Sequence, residues 1–187
     1  MIRFLFGRFM YQRWRTILMQ DGLGVRRTPS VFPPGIDFRF HACHQNLPEA
    51  VRAQIYRAGG GEFLSELEDH DGVWVLLTGN GEAAGRSGVY FRSRQARLLA
   101  LPEGAILLGG GYVAPRFRGR GLHRLAVNEV CRRLAIQGYA PVYTEVHPEN
   151  VASLRGLEGA QLTRVREIDI RIILRRIVID RKGVRWV

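Results

Sequence analysis

Apolar and polar positions alternate in some parts of the chain and follow a helical spacing in others, and this change of period predicts the order of the elements. In IDFRFHA, which begins at Ile36, every second residue is apolar, as is typical of a half-buried strand. The next stretch, NLPEAVRAQIYRAGGG, predicts a helix with Asn46 as N-cap, Glu49 three residues later and a stop at Gly59. We therefore expect a strand followed by a helix, after a proline-rich linker at residues 26–35.

The middle of the chain predicts strands joined by a tight turn. The run VWVLLTG is followed by Asn80-Gly81 and then by a second run that ends in GVYFR, which is typical of a hairpin. The stretch ARLLALPEGAILLGGGYV adds either another strand pair or one long strand.

The last third of the chain predicts two helices and three strands. PVYTEV indicates a buried strand, PENVASLRGLEGA a short helix capped by Asn150, and the segment from Arg166 a closing hairpin with its turn at residues 180–183. Before them lies a helix that ends at Gly138, with apolar positions at Leu122, Leu125, Ala126, Val130 and Leu134. The order β-α-β-β-β-α-β-α-β-β predicts one α/β domain with a mixed sheet.

Composition adds a charge to this picture. The chain has 187 residues, 46% of them apolar, and a formal net charge of +11 that comes from arginine, since Lys182 is the single lysine. Such a surface indicates an anionic partner: nucleic acid, an anionic membrane or a polyphosphate cofactor. Cys43 and Cys131 form no paired motif, which predicts a reducing compartment and a cytoplasmic location.

Residues 1–30 form a basic and aromatic extension before the domain that we expect at residues 31–187. No acid precedes Asp21, and arginines interrupt the apolar run, which argues against a signal peptide. We expect an extra helix or arm that packs on the domain through Phe4, Phe6, Phe9 and Trp14. The alternative is a weak contact of residues 1–20 with a membrane surface.

The segment RFRGRG, residues 116–121, lies between a predicted strand and a predicted helix. Backbone N–H groups at a helix N-terminus favour an anion, glycines let it approach, and Arg116, Arg118 and Arg120 add charge. This context predicts a diphosphate site. The alternative is an arginine–glycine patch for RNA, but Phe117 is the single interleaved aromatic residue and a helix follows at once.

The same segment resembles motif A of the GCN5-related N-acetyltransferase (GNAT) superfamily, V-x-P-x-x-R-G-x-G-[IL]. The matching positions are Val113, Pro115, Arg116, Arg118, Gly119, Gly121 and Leu122. Downstream, HPENVASLRGLEGAQL resembles the next block of the family through Asn150 and Ser153. The resemblance implies a mixed, mostly antiparallel, twisted sheet flanked by helices, with acetyl-CoA or a longer acyl-CoA as cofactor. The residues implied to bind it are Tyr112, Val113, Arg116, Phe117, Arg118, Gly119, Arg120, Gly121, Leu122, Asn150 and Ser153.

The usual catalytic positions of the family hold other residues in this chain. The family's tyrosine falls at Leu157, and its glutamate falls in the run Gly109 to Gly111. We therefore predict Glu145 and His147, at the end of PVYTEV, as the groups that move protons. The glycine run has two interpretations: room for a bulky acceptor or a long acyl group, or a β-bulge.

Other titratable residues receive minor roles in this interpretation. We expect His123 to face solvent or to lie beside the phosphate, and Tyr139 and Tyr143 to be packing residues. His41 and His44 would point to opposite faces of a strand, so we predict no metal site.

Three functions remain open from the sequence. The first is acyl transfer from acyl-CoA to a primary amine of a small molecule. The second resembles N-acyl amino acid and acyl-homoserine-lactone synthases, which use an acyl carrier protein. The third is an inactive domain that binds coenzyme A or nucleic acid. We expect no specific nucleic acid for an active enzyme, and the resemblance implies a homodimer through the C-terminal hairpin.

Overall fold

The computed structural model describes residues 11–22, 27–91, 96, 99–139, 141–173 and 176–180. The strands are β1 (Tyr11–Asp21), β2 (Ile36–His41), β3 (Gly72–Thr78), β4 (Ala83–Tyr90), β5 (Ile106–Val113), β6 (Val142–Val146), β7 (Leu162–Ile173) and β8 (Arg176–Asp180). The helices are α1 (Glu49–Arg57), α2 (Gly61–Ser65), α3 (Leu122–Ile136) and α4 (Val151–Gly159).

The eight strands form one sheet in the order β2-β3-β4-β5-β6-β1-β7-β8. Only the β5–β6 pair is parallel among the described strands, and the other pairs are antiparallel. The predicted α/β fold with a mixed, mostly antiparallel sheet flanked by helices is therefore confirmed.

Helices cover both faces of the sheet. On the front face, α3 and α4 pack on alternate strand residues such as Trp74 and Leu76. On the back face, α1 and α2 pack on the intervening residues Val73, Val75 and Leu77. Because β3 is buried on both faces, its sequence reads as a continuous apolar run rather than an alternating one.

The first strand corrects the expectation for the N-terminal extension. Residues 11–21 do not form a helix or an outer arm; they form β1, which lies between β6 and β7. Leu18 and Met19 are fully buried on opposite faces, so the alternation that marks a half-buried strand is absent. Phe4, Phe6 and Phe9 lie outside the described residues, and the division at residue 30 stays a prediction.

Smaller differences concern the ends of elements. Asn46 belongs to a short 3-10 helix, and Pro48 is the N-cap residue of α1, so the predicted Asn46 cap is wrong. A hairpin is present near the predicted place, but it is formed by β7 and β8, which pair from Ile173 and Arg176 onward, and Asp180 lies in β8 rather than in a turn. The rest of the turn predicted at residues 180–183 lies outside the described residues.

Candidate functional site

Strands β5 and β6 separate halfway along their length. They pair from Ile106 to Leu108, and beyond that point β6 pairs with β1 while β5 stays with β4. The edge of β5 that faces β6 therefore has no strand partner after Leu108 among the described residues. The parting of the two strands leaves a gap beside the run of three glycines.

The glycine run is a β-bulge. Gly88 pairs with Gly109 and Arg86 with Tyr112, so two residues of β5 stand opposite one residue of β4. Gly110 has φ of 65°, in the left-handed region that favours glycine. The β-bulge interpretation is thus confirmed.

The space beside these glycines is filled by the protein's own side chains. A Cβ on Gly109 would lie 3.1 Å from the ring of Tyr90, and a Cβ on Gly110 would lie 3.0 Å from the ring of Phe63. A Cβ on Gly111 would lie 3.3 Å from Nε2 of His123. Because rings take up this space, the glycines themselves leave little free room beside their Cα atoms, and the interpretation of the run as room for a large ligand stays a prediction.

The RFRGRG segment forms the predicted loop at a helix N-terminus. Gly119 and Gly121 have φ of 75° and 71°, and α3 begins directly after Gly121 without a side-chain cap. The backbone N–H groups from Gly119 to Arg124 donate to no acceptor in the described part of the chain. These donors and the helix dipole together favour an anion at this place.

A cleft of about 800 Å³ opens at this loop, between the end of β5, the start of α3 and the start of α4. Nine of the eleven residues predicted to bind the cofactor line it: Tyr112, Val113, Phe117, Arg118, Gly119, Gly121, Leu122, Asn150 and Ser153. Arg116 and Arg120 do not; they lie over the ring of Phe117 at 5.1 Å and 5.6 Å, and Arg116 pairs with Glu82.

Three arginines make the cleft cationic: Arg118, Arg124 and Arg155. None of them pairs with a carboxylate among the residues that the structure describes. Nε of Arg118 donates to the carbonyl of Val113 at 3.0 Å, which holds this side chain against β5. Arg124 and Arg155 were not predicted from the sequence; Arg124 lies in the first turn of α3, which was a usable signal, and Arg155 is the fifth residue of α4.

In the second sequence block, Asn150 caps α4 and Leu157 packs in the core. Oδ1 of Asn150 accepts a hydrogen bond from the N–H of Ser153 at 3.1 Å, so the predicted cap of α4 is confirmed. Leu157 is 2% exposed in the core between α4 and the sheet. A side chain at position 157 therefore points into the core.

The two residues predicted to move protons lie outside the cleft lining. Glu145 pairs directly with Leu18, so the two side chains lie on the same face of the sheet, and Leu18 packs on the back face. The cleft lies on the front face, which α3 and α4 cover. Burial raises the pKa of Glu145, and a hydrogen bond from Thr16 opposes that rise. His147 is exposed at the end of β6, where its Nδ1 accepts from the N–H of Glu149 at 3.3 Å. Their catalytic role stays a prediction.

A different histidine lies in the cleft. The ring of His123 packs between Gly111 of β5 and Gly156 of α4. A Cβ added at Gly111 would lie 3.3 Å from its Nε2, and a Cβ added at Gly156 would lie 3.3 Å from its Nδ1. Its ring centroid is 6.5 Å from that of Trp74. Burial lowers the pKa of His123, and no described residue forms a hydrogen bond with its ring. Its ring is thus largely enclosed rather than facing solvent.

The described residues contain no group of three or more histidine, cysteine or acidic residues arranged to hold a metal ion. No helix among them is long and apolar enough to cross a membrane.

The model of the acetyltransferase (GNAT) family matches residues 39–157, and the chain belongs to this family. No curated protein matches the chain significantly.

Solved structures share the fold at low sequence identity. A GNAT-family protein from Novosphingobium aromaticivorans DSM 12444 is 19% identical with a TM-score of 0.59, over 84% of this chain and 63% of that one. A GCN5-related N-acetyltransferase from Sphaerobacter thermophilus is 18% identical with a TM-score of 0.57, over 94% and 56%. A GCN5-related N-acetyltransferase-like protein from Streptococcus suis 89/1591 is 10% identical with a TM-score of 0.61, over 91% and 65%. The chain thus spans less than two thirds of the length of each of these proteins.

Proposed function

We propose that the chain is an N-acyltransferase that moves an acyl group, most simply acetyl, from coenzyme A to a primary amine of a small molecule. The observation on which this proposal rests is the cleft at the N-terminus of α3. There, N–H groups without acceptors and three unpaired arginines meet in the described structure. A pyrophosphate is an anion that such an array binds well. Membership of the GNAT family supports the same function.

The residues around the cleft fit coenzyme A. We assign its pyrophosphate to the N–H groups from Gly119 to Arg124, with Arg118 and Arg155 beside them. We assign the pantetheine chain to the open edge of β5 near Tyr112 and Val113, where backbone groups lack a strand partner on one side. When bound, acyl-CoA supplies a thioester whose carbonyl carbon an amine attacks.

Acyl transfer also needs a group that takes a proton from the amine. Glu145 and His147 stay our sequence-based candidates for this role. His123 joins them, because its ring lines the cleft and its lowered pKa keeps the imidazole neutral near pH 7, ready to accept a proton.

A second candidate function is coenzyme A binding without transfer. The observation that favours it is Leu157, which takes the place of the family's tyrosine and is buried in the core. Release of free thiol from acyl-CoA that depends on added amine separates an active enzyme from such a domain.

Native mass spectrometry tests the proposal, with acetyl-CoA, longer acyl-CoAs and an acyl carrier protein offered separately. We expect one coenzyme A species per chain, with affinity at least about tenfold lower in the double variant Arg118→Ala, Gly119→Ala. Arg164→Ala is the matched control, because Arg164 pairs with Glu158 away from the cleft. A wild-type chain that binds no acyl-CoA would contradict the proposal, and binding of the carrier protein instead would favour a carrier-dependent enzyme.

A further inference from the structure

Arg86 lies on the back face of the sheet, directly opposite Tyr112 and beside the bulge in β5. Its guanidinium carbon lies over two rings, 4.3 Å from the centroid of Phe63 and 5.2 Å from that of Tyr112. Its Nη1 donates to the carbonyl of Gly110 at 3.2 Å. Three contacts on two elements, α2 and β5, therefore hold the guanidinium group in one place.

No carboxylate neutralises Arg86 in the part of the chain that the structure describes. By contrast, Arg15, Arg39 and Arg164, which are more exposed, all pair with an acid. Burial lowers the pKa of Arg86, and the nearby hydroxyls of Tyr112 and Tyr90 oppose that effect. An arginine keeps its charge under such conditions, so a positive charge stands half-buried without a counter-ion.

The guanidinium group also has unused donors. Its Nε is fully buried without an acceptor, because the side chain passes close over Gly60, where a Cβ would lie 2.7 Å from that nitrogen. Nη2 has no hydrogen-bond partner among the described residues either, and it is not enclosed as Nε is. The outer edge formed by Nη1 and Nη2 is the side from which an oxyanion can bind with two hydrogen bonds.

This edge lies next to the cleft. Tyr112 contacts Arg86 and also lines the cleft, so the two sites share one residue. At the bulge, Gly110 faces Phe63 on the back face and Gly111 faces His123 on the front face. Arg86 on the back face and the cleft on the front face are therefore separated only by the bulge of β5.

We propose that Arg86 binds the carboxylate of the acceptor, so that the acceptor is an amine that also bears a carboxylate, such as an amino acid. The inference rests on the proposed function, because it names the acceptor class of the same site. A carboxylate fits better than a phosphate, since Arg86 is the one cation that stacks on Phe63 and Tyr112 in the described structure and a phosphate dianion favours several donors. The hydroxyl of Tyr90, close to Gly110, is a neutral donor on the same side.

The first test compares acceptors on the wild-type protein. Amino acids and their carboxamides are both primary amines and differ in the carboxylate alone, so each pair is offered with the acyl-CoA that binds best, and thiol release is measured. We expect kcat/KM to be about 10- to 100-fold higher for the acid than for its amide. Equal values, or a preference for an aminoalkyl phosphate over both, would overturn the inference.

The second test uses Arg86→Gln, which keeps a donor for the carbonyl of Gly110 but removes the charge. We expect kcat/KM for the acid to fall to the value for the amide, while the amide rate and the affinity for coenzyme A change little. Arg39→Gln is the matched control, because Arg39 lies opposite Val75 on the same face as Arg86 and already pairs with Asp37. If Arg86→Gln lowers both rates equally, Arg86 is structural and the inference fails.

A binding experiment makes the result independent of turnover. N-acetyl amino acids and their amides are titrated into ¹⁵N-labelled protein, and the amide signals of Gly110 and Tyr112 are followed. We expect shifts with the acids alone, and their loss in Arg86→Gln. Absence of shifts with the acids would overturn the inference even if coenzyme A binds, whereas shifts without coenzyme A binding would uphold this anion site and contradict the transferase proposal alone.

Discussion

At the residue scale, two glycines on different elements make room for one imidazole. Gly111 of β5 and Gly156 of α4 each face a ring nitrogen of His123. A Cβ added at either glycine would lie 3.3 Å from that nitrogen. A methyl group at either glycine would press on this ring. The arrangement therefore places a titratable group inside a cleft that otherwise holds arginines and backbone donors.

The ionisation of His123 is predicted to appear in the pH dependence of the reaction. Burial disfavours the imidazolium, so the pKa lies below 6.5, and the ring becomes a neutral base as the pH rises through that value. We expect kcat/KM to rise over the same interval, and His123→Gln to remove this limb and lower kcat/KM about 10- to 100-fold. The affinity for coenzyme A should change little.

Two measurements check this prediction. Histidine ring signals followed by NMR give the pKa of His123 without any substrate, and a pH–rate profile gives the kinetic value. His70→Gln is the control, because His70 is exposed beside Glu68. A ring pKa at or above 6.5, or an unchanged profile in His123→Gln, would speak against a role in proton transfer.

At the element scale, the bulge in β5 decides which face of the sheet each of its three glycines turns to. The extra residue lets Gly109 and Gly110 both face the back, toward Tyr90 and Phe63, and lets Gly111 face the front. A regular strand would turn these successive residues to alternate faces. The bulge thus sets Arg86 and His123 on opposite sides of the same three residues.

Gly110→Ala is predicted to destabilise the fold for two reasons. The left-handed φ of 65° costs an alanine about 1 to 2 kcal/mol, and the contact of its Cβ with Phe63 at 3.0 Å adds about 1 to 3 kcal/mol. Gly81→Ala is the matched control, because Gly81 has φ of 82° and nothing within 4 Å. Urea unfolding of both variants should show the larger loss for Gly110→Ala; equal losses would mean that Phe63 moves away at no cost.

At the scale of the whole molecule, β1 joins the two halves of the sheet. It pairs with β6 on one side and β7 on the other, so β7 and β8 connect to the rest of the sheet through it. Residues 27–30 continue from it across α3, where Arg27 donates to Asn128 and the carbonyl of Ala160, and Ser30 Oγ donates to the carbonyl of Leu125. The strand β1 is thus part of the core, and residues 27–30 pack on the outside of α3.

Truncation of Met19, which is fully buried in β1, is predicted to weaken the whole domain. We expect Met19→Ala to lower the free energy of unfolding by about 2 to 5 kcal/mol, in a single transition seen by both fluorescence and circular dichroism. Gln20→Ala, one residue further along the same strand, should cost much less because Gln20 is not fully buried. Two separate transitions would show instead that β1 unfolds as an independent unit.

Local patterns predicted the parts of the fold whose signals lie within one segment. The β3–β4 hairpin followed from Asn80-Gly81, α4 from its Asn150 cap, and the loop before α3 from the spacing of Gly119 and Gly121. In contrast, β1 was missed because Leu18 and Met19 are buried on opposite faces, and a run of that kind has no strand period.

By itself, the sequence determined the order of most elements, the position of the glycine loop before α3 and, through its motif, the family. These depend on neighbouring residues, whose backbone geometry is decided by spacing, caps and glycines. Only the tertiary structure decided which titratable groups meet at the site. His123 enters the cleft because distant glycines leave it space, and Arg86 stands uncompensated because strand register puts rings rather than acids beside it. Such contacts depend on strand and helix packing between residues far apart in the chain, and no local sequence pattern encodes them.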